Sequence, residues 1–327
     1  MEVCVRLVLK ILGILVVIVL MLVAGVYLWA SYRSSSILAA VYSPHTVDFP
    51  IPFPLAADEV VPEGTTEEAR QQLARERAIE RGRHLVSARY TCTACHGANF
   101  GGGTMVDAFP IGSLLAPNLT TGEGSRTLSY KPSDWDRIVR HGVLPDGRPA
   151  VMPSEDFERM SDQELSDIAS YIRSLPPVNN TVPAPTFGPL GKVLLAAGEM
   201  RPSATIINHQ ATHLATPPEA TVSTEFGQHL AAVCMGCHRP DFSGGPIPGG
   251  DPAWPPARNL TPAPGALGGW TFDQFVVALR ESRRPDGTPL ANPMTLVASF
   301  AKGMKDVELQ ALWAYLQTVP PVPVTAP

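Results

Sequence analysis

Residues 11–30 form an uninterrupted run of twenty positions without a charge, the strongest hydrophobic signal in the chain. As a helix this run is about 30 Å long, the thickness of a bilayer's hydrocarbon core. It exceeds the roughly 7 to 15 apolar residues of a signal-peptide core, and Leu28-Trp29-Ala30 is a poor small-residue cleavage site. A retained transmembrane anchor over residues 1–33 is therefore favoured over a cleaved signal. Arg6 and Lys10 precede the run and only Arg33 follows closely, which predicts a cytoplasmic N-terminus with the rest of the chain outside. Tyr27, Trp29 and Tyr32 suit an interfacial aromatic belt. Cys4 lies ahead of the run, where it reads as a free thiol rather than a lipid-attachment site.

Past the anchor the apolar positions recur at helical spacing. Leu165, Ile168, Ala169, Ile172 and Leu175 make one such stripe, and Leu309, Leu312, Trp313, Leu316 and Val319 make another. Ser161-Asp162-Gln163-Glu164 has the form of a capping box, and a proline pair stops each helix. A shorter helix precedes each of these, with Ser133 and Thr271 as N-cap candidates. A further helical stretch covers about residues 67–88, and its counterpart begins near Thr224. No segment alternates like a strand for long, so the expected fold class is all-α.

The two stripes belong to a duplication at an offset of about 140 residues. Gly82-Arg83-His84-Leu85 matches Gly227-Gln228-His229-Leu230, Asn118-Leu119-Thr120 matches Asn259-Leu260-Thr261, and Pro145-Asp146-Gly147 matches Pro285-Asp286-Gly287. Met160 and Met304 correspond, as do Tyr171 and Tyr315. The expected organisation is an anchor at 1–33, an extended linker at 34–65, one domain at 66–178, an inter-domain linker at 179–222, a second domain at 223–321 and a tail at 322–327. The 34 prolines agree with extended connecting segments between and within compact units. Within the second linker, residues 192–200 suggest a short apolar helix packed on a domain, too short to span a bilayer.

Each half contains Cys-x-x-Cys-His, as Cys92-Thr93-Ala94-Cys95-His96 and Cys234-Met235-Gly236-Cys237-His238. This is the attachment signature of c-type haem: two thiols on one turn form thioethers to the porphyrin, and the next imidazole faces the iron. A zinc site would bring four ligands together, but these pairs lie 142 residues apart. A thioredoxin-type redox pair needs a strand-helix-strand pattern that neither motif has. Two covalent haem c groups are the expected cofactors, with Cys92, Cys95, Cys234 and Cys237 as attachment points and His96 and His238 as proximal iron ligands. Such attachment belongs to the periplasmic side of a bacterial inner membrane, in agreement with the charge bias around the anchor.

On the opposite face of each iron, Met152 and Met294 are the candidates, each on a loop after an Asp-Gly turn and before the last helix. Core filling is the alternative for any methionine, and it is the preferred reading of Met160 and Met304, beside the helix caps. His141 is a minor competitor for the first iron. His209 and His213 have the i, i+4 spacing of a metal pair, but they lie in the linker without an acidic third ligand and read as exposed polar residues. His84 and His229 are expected to face solvent or to bond locally. Tyr130 and Trp270, just before the middle helices, could reach a propionate through their polar tips or simply pack. His/Met ligation fills both axial positions and leaves an iron that only exchanges electrons. With 25 basic against 30 acidic side chains and a net charge of −5, nothing points to nucleic acid.

These motifs resemble the membrane-anchored dihaem and multihaem class I cytochromes c, including the cytochrome subunits of bacterial membrane-bound alcohol, aldehyde and gluconate dehydrogenase complexes. The resemblance covers about residues 67–320 and implies His96 with Met152, and His238 with Met294, as axial pairs. It implies an electron-transfer protein, not itself an enzyme, with the bilayer and a redox donor and acceptor as partners, a membrane dehydrogenase or quinol-oxidising protein on one side and a terminal acceptor on the other. Two departures stand out: the dehydrogenase subunits often carry three haem domains where two are present here, and Pro293 precedes Met294 where the family usually has proline after the methionine. The rival expectation is a dihaem enzyme, a peroxidase or a sulfur-compound dehydrogenase, with one open iron. A fixed subunit of a respiratory or photosynthetic complex is the third.

Overall fold

The computed structural model of the chain describes residues 2–56 and 59–324. Residues 57–58 of the expected first linker and 325–327 of the expected tail lie outside the described residues. Eleven α-helices are present among the described residues: α1 (Glu2–Ala39), α2 (Glu67–His84), α3 (Cys92–His96), α4 (Pro132–His141), α5 (Asp162–Ser174), α6 (Pro189–Ala197), α7 (Thr224–Ala231), α8 (Met235–His238), α9 (Phe272–Glu281), α10 (Met294–Ala301) and α11 (Asp306–Leu316). A π-helical turn, Leu85–Arg89, continues α2.

Helix α1 is long and apolar enough to cross a membrane, and it continues six residues past the expected anchor boundary, to Ala39. Its C-terminal end is not bare. The short helix α6 packs along it, burying Ala30 and Ser34, with Arg33 Nε donating to the Ala196 carbonyl at 3.0 Å and the Lys192 ammonium 5.5 Å from the centre of the Tyr27 ring. The expected linker helix thus exists, begins three residues earlier than anticipated, and braces the anchor against the first domain.

In each domain the helix before Cys-x-x-Cys-His crosses the terminal helix, α2 on α5 and α7 on α11. The crossing is close because a glycine sits at it. A Cβ on Gly82 would fall on the Asp167 carbonyl oxygen, and one on Gly227 on the Ala311 carbonyl oxygen. An aromatic pair closes each crossing edge to face, Phe100 with Tyr171 at 6.3 Å and Phe242 with Tyr315 at 6.0 Å. Matching side chains of the duplication therefore do matching packing work.

The chain is mostly helical, as expected, and the all-α expectation omits one small sheet. Strands β1 (Gly103–Ala108) and β2 (Gly112–Ala116) form a hairpin, and β3 (Thr186–Phe187) adds to β2, giving an antiparallel sheet in the order β1-β2-β3. The strands are short and β3 arrives from seventy residues away, so no local alternation reveals them. The equivalent stretch of the second half carries Pro246, Pro248, Pro252, Pro255 and Pro256, which lack ladder donors, and it forms only a single bridge between Gly245 and Ala257. The N-cap of α4 also differs: Lys131 occupies it, with Pro132 at the first helical position and Asp134 accepting from the Lys131 N–H at 3.0 Å, so Ser133 lies inside the first turn. Thr271 caps α9 as expected.

The first linker is partly domain core. Phe49 is buried with Leu85, Trp135 and Ile168, and the Pro50 carbonyl accepts from Ser166 Oγ at 2.6 Å. The second linker wraps the first domain too: Asp162 and Gln163 N–H groups donate to the carbonyls of Leu214 and Ala215 at 2.9 and 3.0 Å.

The domains meet through a reciprocal ion network. His84 Nε2 donates to Glu308 at 2.8 Å, and its counterpart His229 Nε2 donates to Glu164, the counterpart of Glu308, at 2.9 Å. Arg89 lies between, 2.7 Å from Glu308 and 3.1 Å from Glu164. Both glutamates also accept from the N-cap N–H of their own helices, Ser161 at 2.9 Å and Lys305 at 2.7 Å. The expectation that the two histidines face solvent or bond locally is overturned. Their partners lie 224 and 65 residues away, at the buried starts of α11 and α5.

Candidate functional site

The first Cys-x-x-Cys-His is helix α3 itself, shortly after the π-helical turn that ends α2, while in the second Cys234 ends a 3-10 turn after α7 and stands at the N-cap of α8, which holds Met235–His238. His96 Nδ1 donates to the Pro117 carbonyl at 3.0 Å and His238 Nδ1 to the Arg258 carbonyl at 2.6 Å. Spending Nδ1–H on a carbonyl leaves Nε2 as a bare lone pair, the tautomer a metal needs, with the ring orientation held. Burial lowers the pKa of both imidazoles, against a smaller opposing effect of the carbonyl partner.

The carbonyls belong to the residues preceding the Asn-Leu-Thr repeats, and those repeats fix them. Asn118 Oδ1 accepts from the Thr120 N–H and hydroxyl at 2.9 and 2.8 Å while its amide donates to Val178 O at 2.6 Å. Asn259 does the same with Thr261 at 2.8 and 2.7 Å and with Val322 O at 2.8 Å. The chain leaving each terminal helix is thereby tied to the loop that aims the histidine, so the repeats are a support for the site.

In the first domain a cavity of about 310 Å³ is lined by Cys92, Cys95, His96, Tyr130 and Met152, together with Arg126, Trp135, Val139 and Met160. Five expected site residues meet there. Trp135 is 2 % exposed and its Nε1–H has no partner, an unsatisfied donor of the kind a haem propionate would occupy. Trp135 was legible only as a helix residue; its counterpart in the second half is Phe275, which has no such donor, so the duplication did not flag it. Met160 shares the cavity wall and is buried in the core, while Met304 packs on the second core.

In the second domain Cys234 and Trp270 pack against the core of Phe226, Phe275 and Leu312, and His238 is buried. Met294 does not lie on a loop as expected. It opens α10, with Pro293 at the N-cap. His141 is fully buried and turned away from the first cavity, toward His209 and His213 with ring centres 5.5 and 5.4 Å away. The linker histidines are half-buried rather than exposed, and burial pushes His141 and His213 down to about 4.

Burial pushes the thiols up, Cys92 and Cys234 to about 12 and Cys237 to about 11. A redox-active pair needs the opposite shift. Among the described residues no convergent group of three or more metal-ligating side chains includes a cysteine.

One carboxyl joins the two centres. Asp156, in the turn Ser154–Asp156 four residues after Met152, lies over Gly236 between Cys234 and Cys237, where a Cβ would collide with it. Its Oδ1 is shielded and unpartnered, and burial, then Glu155 and Glu158, raises it to about 7. Because the folded pKa exceeds the usual 3.8, ionising Asp156 costs the folded state. Stability is expected to be fully present below about pH 4 and to fall by up to about 4 kcal/mol as the pH rises to about 7. Urea unfolding of Asp156→Asn at pH 4 and pH 8 checks this; a variant that loses as much stability with rising pH as the parent protein contradicts it.

Two stretches, residues 79–176 and 225–320, match the family profile described as Cytochrome c. The alcohol dehydrogenase (quinone) cytochrome c subunit of Gluconacetobacter polyoxogenes is 27% identical over 253 residues, 71% of this chain and 53% of that protein. That of Gluconobacter oxydans (strain 621H) is 24% identical over 276 residues, 78% of this chain and 57% of that protein. The gluconate 2-dehydrogenase cytochrome c subunit of Pantoea cypripedii is 31% identical over 104 residues, 30% of this chain and 23% of that protein. The chain spans about half the length of the alcohol dehydrogenase subunits it matches.

Proposed function

Because this chain belongs to the cytochrome c family, we propose that it is a membrane-anchored dihaem electron-transfer protein. It holds both haem domains in the periplasm and passes single electrons between a membrane dehydrogenase or quinol-oxidising partner and a terminal acceptor. The observation that carries this is the pair of identically pinned imidazoles, His96 on Pro117 O and His238 on Arg258 O, each directly after a Cys-x-x-Cys turn. When bound, each haem supplies a one-electron iron couple.

The rest is the work of side chains. Cys92 with Cys95 and Cys234 with Cys237 form the thioethers, and His96 and His238 bind iron through Nε2. Met152, on the wall of the same cavity as His96, would be the second protein ligand of the first iron, and Met294 that of the second. An iron so held by two side chains would have no place for peroxide or another small ligand, which favours a carrier over an enzyme. Trp135, Tyr130 and Arg126 hold the propionate edge in the first domain, and Trp270 serves the second. The anchor keeps the domains at the membrane surface, where α6 braces α1, and the names of the relatives favour a dehydrogenase as donor.

A haem-stained denaturing gel with a pyridine haemochrome assay tests the count. Two covalent haems per chain are expected, and Cys92→Ala with Cys95→Ala is expected to retain one. A single haem in the parent protein overturns the dihaem reading.

A further inference from the structure

The face of α4 turned away from the cavity meets the inter-domain linker at a buried point that electron transfer does not use. We propose that Asp136, His141 and His213 form a binding site for one divalent transition cation, with Zn²⁺ the best match, separate from both haem irons. One ligand atom from each of the three residues lies within 4.8 Å of the others. Asp136 and His141 are fully buried and His213 is half-buried.

The hydrogen-bond chain leaves this point rich in lone pairs and short of protons. His209 Nε2 is 2.9 Å from the Ala204 carbonyl, which can only accept, so Nε2 carries the proton and Nδ1 is bare. His141 Nδ1 lies 3.4 Å from that bare nitrogen and donates to it. His141 Nε2 is consequently bare as well. It has no hydrogen-bond partner and faces Asp136 Oδ1, another acceptor, at 3.9 Å. His213 Nδ1 is shielded and equally unpartnered. Asp136 Oδ1 is already held by Arg140 Nε at 2.7 Å, but His141 Nε2 and His213 Nδ1 beside it have no partner, and buried polar atoms left so are costly. A cation converts the same lone pairs into bonds.

The surroundings fit a metal. Val47 N–H donates to Asp136 Oδ2 at 2.5 Å, and His209 orients the His141 ring, so two of the ligands already have outer partners. Arg140 is the neighbouring positive charge, bound to Asp136 and Asp162 at 2.7 Å each. Two carboxylates against one guanidinium leave a net negative charge for an incoming cation. The carbonyl of His45 is the remaining acceptor beside the His141 ring. Two imidazole nitrogens and one carboxylate oxygen suit zinc with a water in the fourth position, whereas Ca²⁺ and Mg²⁺ require oxygen ligands. Zinc bonds of about 2.0–2.1 Å place tetrahedral ligand atoms about 3.3–3.4 Å apart, so ligand atoms now up to 4.8 Å apart draw together around the ion, a movement available to the half-buried linker side chain His213. The bound ion would pin the linker to the first domain.

The test uses untagged, haem-loaded protein treated with a chelator, dialysed and given Zn²⁺ alone. One zinc per chain is expected to survive gel filtration, and competition with a chromophoric chelator reads its affinity. His213→Gln, which leaves the buried Asp136 and His141 in place, is expected to weaken binding at least about 10-fold with an unchanged Soret band and circular dichroism. Cu²⁺ in the same site is expected to show nitrogen superhyperfine structure in its electron paramagnetic resonance spectrum that is reduced in the variant. Failure of the parent protein to retain zinc, or equal affinity in His213→Gln, overturns the site.

Discussion

In Met152→Ala, the reduced protein is expected to bind carbon monoxide at one haem per chain, while the parent protein binds none. Met152 shares the cavity with His96 and stands on its wall beside Met160. Truncating it removes the thioether and opens one axial position. A soft sulfur ligand favours ferrous iron, so one of the two midpoint potentials is expected to fall by more than about 100 mV, within the roughly 0.8 V over which axial ligands set haem potentials. The other potential is expected to stay where it was. Met160→Leu is the control, since it alters the same wall without removing the proposed ligand. If Met152→Ala leaves both potentials unchanged and binds no carbon monoxide, Met152 is not the ligand; if Met160→Leu produces these changes instead, Met160 is.

Glu308→Ala is expected to cost about 3–5 kcal/mol of stability, the range for breaking a buried ion pair by removing one partner. The Glu308 side chain is 1% exposed and receives both His84 and Arg89, besides the N–H of Lys305 at the start of α11. Removal leaves Arg89 with Glu164 alone and strands His84 at a domain boundary. The carboxyl itself reports on this network. Burial would raise its pKa, but the His84 hydrogen bond, the Arg89 guanidinium and the Lys305 N–H outweigh burial and hold it at about 2. Since the folded value is below the unfolded 4.5, the contribution is fully present above about pH 4.5 and is lost as the pH falls toward about 2, an effect of about 3 kcal/mol. Urea unfolding at pH 7 and pH 3 measures both. The parent protein is expected to lose stability between these values, and Glu308→Ala to lose less of it, having already lost the contribution. An acid slope that is the same in both proteins contradicts the assignment. Because Glu308 and His84 belong to different domains, the variant is also expected to separate a joint unfolding transition into two.

Asp156 shows why the domain contact bears on redox function. It belongs to the turn that follows Met152, yet it lies against Gly236 of the second Cys-x-x-Cys-His. One loop thus touches the surroundings of both centres, and the second centre has a shielded carboxyl beside it that no residue of its own domain supplies.

The parts of this molecule that could be read from the chain are those whose chemistry is local or periodic. A bilayer-length apolar run, two five-residue haem motifs, a capping box at Ser161 and Glu164, and apolar stripes three and four residues apart each carry their meaning in a single segment. The duplication added pairings such as Gly82 with Gly227 and Asn118 with Asn259. Folding alone decided the rest, because a polar side chain's role depends on what is buried against it. His84 and His229 look alike as surface residues until α11 and α5 bring Glu308 and Glu164 to them. The β-sheet needed a third strand from the linker, and Trp135 became a candidate propionate partner only when its N–H was enclosed without an acceptor. His209 and His213 are legible in the chain only as an i, i+4 pair without an acidic third ligand, and the wrapping of the linker around α4 brought Asp136 and His141 to them. Burial and long-range pairing are properties of the packed chain, and no window of sequence contains them.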